Sequence, residues 1–146
     1  METTETTGER VRRNTPIKEN VRIDEKTKAN IEYFASIGSA AIDGRIEELE
    51  KEWDIERTLE LNAAVFAFTG TMMGALVNRK WLLLPAVVTA FLAQHAIQGW
   101  CPPVPLFRKF GIRTRGEIDA EKYALKGLRG DFNDIDNADE AWTAVH

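Results

Sequence analysis

The residues of this 146-residue chain whose types could do chemistry are few: Gln94, His95, Gln98 and the single cysteine, Cys101, with Asn62 upstream. His95 and Cys101 offer a metal two ligands at most, whereas a closed zinc site takes four. The other histidine, His146, falls in a tail expected to be frayed, so no metal site is expected. Cys101 has no second cysteine to pair with, which rules out an internal disulfide. It stands in Gly-Trp-Cys-Pro-Pro, with Arg108 and Lys109 near enough in sequence to favour a thiolate. It is therefore a possible reactive thiol, and equally a small apolar residue at a boundary. The acidic stretch DFNDIDNADE does not fit a calcium loop, because Ile135 falls on a ligand position and no glycine makes the turn. Nothing matches a Ser/His/Asp array, a Walker loop or a dinucleotide fingerprint, so neither a catalytic residue nor a cofactor is implied.

What must position these residues is an unusual distribution of charge. A mean hydropathy of -0.30 and net charge of -4 describe an ordinary soluble protein. Yet 61–78 and 81–107 contain no charged residue, and only Arg79 and Lys80 separate them. The first apolar block, 61–77, makes a helix of ~25 Å and the second, 81–100, one of ~30 Å, enough to cross a bilayer core. Trp81 and Trp100 bracket the second as interfacial aromatics do. The expected fold is an all-α membrane protein, a two-span transmembrane hairpin over 58–101 with flanking amphipathic cytoplasmic helices. A soluble bundle is disfavoured, since both blocks are apolar on every side and the flanking segments are short and charged.

Within such a hairpin two groups of residues acquire roles. Gly70 and Gly74, four apart, form a small-residue face for close helix packing, on the second span or on another copy of the chain. At equal depth Asn62 would meet Gln94, His95 and Gln98 as an intramembrane polar cluster, bonding across the hairpin to fix its register or lining a path. Positive charges near the span ends number two at the turn, Arg79 and Lys80. Seven lie on the other side, Arg108 and Lys109 among them, placing both termini in the cytoplasm.

Residues 1–23 read as a disordered polar tail without an apolar signal region. The amphipathic segment 24–57 carries the stripe Ile31, Ala35, Gly38, Ile42, Ile46, Leu49 and Trp53, with Gly44 a weak point and an acidic face over 47–54. The segment 102–130 opens with Pro102, Pro103 and Pro105 as a stiff extended exit. It then starts a helix at the capping box Thr114-Arg115-Gly116-Glu117, with Ala120, Tyr123, Ala124, Gly127 and Leu128 on one face. An acidic, frayed tail over 131–146 follows. No basic stripe interleaves with aromatics, so nucleic acid is not an expected partner.

The hairpin with its small-residue first helix, its exit Gly99-Trp100-Cys101-Pro102 and the basic segment after it resembles the YgaP-like transmembrane domain family, a bacterial inner-membrane domain of unknown function. The likeness covers about 56–110. It implies a bacterial inner-membrane location and homodimers packed through the membrane helices. Members are sometimes fused to a sulfane-sulfur-handling rhodanese domain, which is missing here, as is any second cysteine. The long N-terminal and capped C-terminal helices go beyond the likeness. The reading that follows is a non-enzymatic membrane anchor or adaptor, self-associating as a dimer, that presents cytoplasmic helices to a partner protein. The alternative is a small transport or sulfur-relay component using His95 and Cys101.

Overall fold

The computed structural model describes residues 6–133 and 135–145, and these are helical throughout, with no strand among the described residues. In chain order the helices are α1 (Thr7–Arg13), α2 (Ile17–Ile37), α3 (Ser39–Lys51), α4 (Ile55–Leu76), a single 3-10 turn (Arg79–Leu82), α5 (Leu83–Gln98), α6 (Val104–Lys109), α7 (Arg115–Arg129) and α8 (Ala138–Val145). The chain divides into two compact units. One combines Met1–Asn20 with Trp53–Arg115, the other Val21–Glu52 with Gly116–His146.

In the first unit α4 and α5 pair antiparallel through the 3-10 turn, residue 70 of α4 meeting residue 85 of α5 and residue 74 meeting residue 82 of the turn. Two helical stretches, one ending at Leu76 and one at Gln98, are long and apolar enough to cross a membrane. Asp54 starts α4 by accepting the Arg57 N–H at 2.8 Å on its side chain, satisfying one of the donors a helix start leaves open. At the open end of the pair a small core forms from Val11, Ile55, Leu59, Cys101 and Val104, with Leu92, Phe107 and Ile112 packed on it. Beyond that core the pair is bare. Phe68, Leu76, Leu83 and Ile97 are 68%, 74%, 70% and 75% exposed.

The second unit is a different kind of object. Its core is Ile42, Ile46 and Leu49 of α3 against Ile118 and Leu125 of α7, with Ile31 and Phe34 of α2 packed beside them. Charged groups are folded into it. The Glu121 carboxylate, fully buried, accepts from Arg45 Nε at 2.8 Å and from Asn30 at 3.3 Å. Arg129 bridges Asp43 at 2.6 Å and Asp131 at 2.7 Å, which raises its own pKa and, chiefly through that hydrogen bond, holds the Asp131 carboxyl below the usual carboxylate range.

Several sequence expectations change here. The tail expected over 1–23 is helical where it is described: Thr6 and Glu9 form a reciprocal capping box that starts α1, and α2 begins at Ile17. The first five residues lie outside the described set. The break in the 24–57 segment falls at Gly38, whose φ of +117° suits glycine alone, while Gly44 sits inside α3. Trp53, assigned to the apolar stripe, is about half exposed and stacks under Arg57 at 4.2 Å. The expected extended exit is helix α6, which tolerates Pro105 because the first turn needs no N–H from it. Helix α7 buries Ile118, Glu121 and Leu125 and exposes Tyr123 and Leu128, so its buried face differs from the one read from apolar residues. The end of the chain, expected to be frayed, contains α8; Asp134 and His146 lie outside the described residues.

Candidate functional site

The residues singled out by sequence divide between the middle of the α4–α5 pair and its open end. At the middle, Gly70 and Gly74 are buried against α5 and the turn that leads into it. A Cβ at residue 70 would lie 2.5 Å from Pro85 Cδ, and one at residue 74 2.5 Å from Leu82 Cδ2. The Pro85 ring cannot give way, so Gly70 sets the separation of the two helices there, whereas the Leu82 side chain at Gly74 can shift. This face is occupied within the chain. Another copy could use it only by displacing α5.

The expected polar cluster across the pair does not form. The Asn62 amide donates one turn back, to the Thr58 carbonyl at 2.7 Å, and its side chain is exposed. Gln94 donates to Gln98 on the same helix at 3.4 Å. Thr71 and Thr89 likewise donate to carbonyls four residues back. A short polar side chain on a helix has a carbonyl one turn away, and that local bond wins over one that would need a matched partner across the gap. His95 alone is turned inward. It is 5% exposed and neither ring nitrogen has a hydrogen-bond partner.

At the open end the chain does something the sequence reading missed. Gly99 ends α5 in the left-handed region, φ +71°, its N–H donating to the His95 carbonyl at 2.7 Å. Helix α1 lies directly against it, since a Cβ at residue 99 would collide with Arg10 and with the Val11 backbone. Arg10 donates to the Ala96 carbonyl at 3.3 Å and Asn14 to the Gln98 carbonyl at 2.9 Å. These are the orphan acceptors of a helix C-terminus, and donors, Arg10 among them cationic, are what that end attracts. The signal for α1 is the Thr6-x-x-Glu9 box, the same pattern as at Thr114.

Cys101 is 1% exposed, in the core of this end. Such a thiol is shielded from reagents in water, which takes away the accessibility a reactive cysteine needs. Arg108, expected at the membrane flank, is fully buried and donates to the Ile112 carbonyl at 3.1 Å and to Asn20 at 2.8 Å. It holds the end of α6 and the start of α2 together. Arg79, Lys80 and Lys109 are exposed.

Glu56, in the turn of α4 that precedes the uncharged stretch, carries a buried carboxylate with no hydrogen bond to either oxygen. Burial first, then repulsion from Asp54 and Glu60, pushes its pKa up; its own backbone N–H and the Arg108 cation oppose this. Beside this end a groove of about 530 Å³ runs between α4, α5 and α6, and apart from Asn62 and the Cys101 thiol its lining is apolar. No group of three or more His, Cys, Asp or Glu side chains placed to hold a metal occurs among the described residues.

The site is thus a set of positioning contacts at one end of a helix pair, with one inward histidine, one shielded thiol and one apolar groove. No protein-family model, curated protein or solved structure matches this chain.

Proposed function

We propose that this chain is a small, non-enzymatic integral membrane protein that anchors an acidic helical unit at the bilayer surface, where that unit docks a partner protein with a basic face. The observation that carries the reading is the exposed apolar surface of α4 and α5. Side chains such as Phe68, Leu76, Leu83 and Ile97 are largely exposed, uncovered by anything else in their unit. In water each would forgo ~1.5–3 kcal/mol that burial supplies. Lipid tails supply that burial, and a helix pair with every backbone group bonded internally is one of the few structures lipid admits.

Charge is partitioned in keeping with this. The unit containing the pair holds 11 Lys/Arg and 7 Asp/Glu, the other 8 Lys/Arg and 16 Asp/Glu. A net positive unit suits the face of an anionic bilayer, and a strongly negative one attracts basic protein surface while being repelled by anionic lipid. The chain crosses between the units near Asn20, Glu52 and Arg115, none of them beside Arg79 and the turn. The excess of Lys/Arg at the span ends opposite Arg79 and Lys80 marks that side as cytoplasmic and the turn as lying across the membrane.

The exposed carboxylates of Glu47 and Glu48 on α3 are the first candidates for the docking face. Each is engaged only by a weak surface pair, with Lys51 at 3.9 Å and Arg45 at 2.9 Å. Photo-crosslinking from residue 47 in native membranes, followed by pull-down, tests the assignment. The double change Glu47→Lys with Glu48→Lys is expected to remove the crosslinked partner while leaving the chain in the membrane fraction. Retention of the same partner at full yield would overturn the docking face.

A further inference from the structure

We propose that the groove beside α6 holds one acyl chain of a membrane phospholipid as a fixed part of the protein. This assignment rests on the membrane reading above and deepens it by naming a ligand. The floor of the groove is Leu59, Ala63 and Cys101, and Phe66, Leu92 and Phe107 are among the residues of its sides. Asn62 is its one amide, and that amide already donates to Thr58. A polar ligand would find almost nothing to bond there. A hydrocarbon would lose no hydrogen bond on entering.

The length of the groove suits a lipid chain. Leu59 and Phe66 are two turns apart, so the groove runs for ~10 Å along α4. It is an open groove of about 530 Å³, lined almost wholly by hydrocarbon side chains. An extended hydrocarbon chain can lie along it for that length.

Position agrees with size. One end lies at Pro102 and Pro103, just past Trp100 and the end of α5, and the other at Phe66 and Val88 well inside both apolar helices. The rim residues Phe66, Phe91 and Leu106 are exposed, and they continue the bare surface of the pair. A chain lying there would run from the level of the headgroups into the hydrocarbon.

The test is native mass spectrometry of the full-length chain, reconstituted into phosphatidylethanolamine–phosphatidylglycerol bilayers and extracted into dodecyl maltoside. One phospholipid per chain is expected to survive repeated detergent exchange. Ala63→Phe, which fills the floor, is expected to cut that occupancy at least tenfold, while Ala64→Phe, which adds the same volume on the exposed side, leaves it unchanged. Leu106→Trp narrows the exposed rim without touching the core. It is expected to lower occupancy as well, which keeps the test decisive if Ala63→Phe does not fold. Equal occupancy in wild type, Leu106→Trp and Ala64→Phe would overturn the assignment. So would a lipid-free wild-type dimer that Leu106→Trp converts to monomer, which would give the groove to a second copy. Either outcome, in a chain that still resists alkaline carbonate extraction, contradicts the groove and leaves the membrane reading standing. Release into the carbonate supernatant would instead remove the membrane reading.

Discussion

Two carboxylates show how burial decides what a charge does in this chain. Glu121 is fully buried and paired, and Arg45 and Asn30 converge on one of its oxygens. Removing it by Glu121→Ala strands the partly buried Arg45 cation without its acceptor. The expected loss is ~3 kcal/mol, at the low end for a broken buried pair because Arg45 keeps some solvent and its bond to Glu48. Urea denaturation followed by helical circular dichroism reads it. Glu56 is the opposite case, buried without a hydrogen bond, so the folded state takes up a proton more readily than the unfolded chain does. A carboxyl raised in this way costs stability at neutral pH and restores it as pH falls through the raised value toward the ordinary one. Thermal unfolding in detergent is therefore expected to move to higher temperature between pH 7 and pH 5, and Glu56→Gln to give the higher temperature already at pH 7. Asp131 acts in a separate window: its lowered pKa contributes stability above the ordinary aspartate range that is lost as pH falls below it.

At the scale of elements the glycines divide by what surrounds them. Gly70 faces the rigid ring of Pro85, so Gly70→Ala is expected to push α4 and α5 apart at a cost of ~1–3 kcal/mol. Gly44, inside α3 with nothing within 4 Å of an added Cβ, is the control. Gly44→Ala is expected to stabilise by up to ~1 kcal/mol through helix propensity alone. Thermal melts of both variants beside wild type check the pair of signs. The same contrast explains what the sequence could and could not reveal. The uncharged blocks and the short Asn78–Lys80 link were visible as helices and turn because charge is absent from them over whole turns. Residues 42, 46 and 49 of α3 carried a legible apolar period. The stripe of α7 was hidden because two of its buried positions, Glu117 and Glu121, are acids. Helix α1 was hidden because only Val11 of its residues is buried, and its place is fixed by side-chain donors to α5 carbonyls that no periodicity records. Inward-facing His95 was named from sequence, but the cross-pair bonds expected around it were not made, since Asn62 and Gln94 found partners on their own helices.

For the whole molecule, the chain is built as two units of opposite charge, one of them unable to cover its own apolar side chains. The topology proposed for it puts Arg79 and Lys80 on the far side of the bilayer from both ends of the hairpin, with the chain before and after it cytoplasmic. In sealed cytoplasm-side-in vesicles, added trypsin is then expected to reach the turn and spare Lys122 and Lys126. Cleavage at those lysines with the turn intact would reverse the orientation. The membrane reading itself meets its most direct test when the purified chain is taken out of detergent into plain buffer and followed by light scattering and circular dichroism. Exposed helices such as these are expected to drive it into large aggregates unless phospholipid is supplied. A monodisperse, helical, cooperatively melting species in buffer alone would contradict that reading, because the side chains of α4 and α5 would then be at home in water.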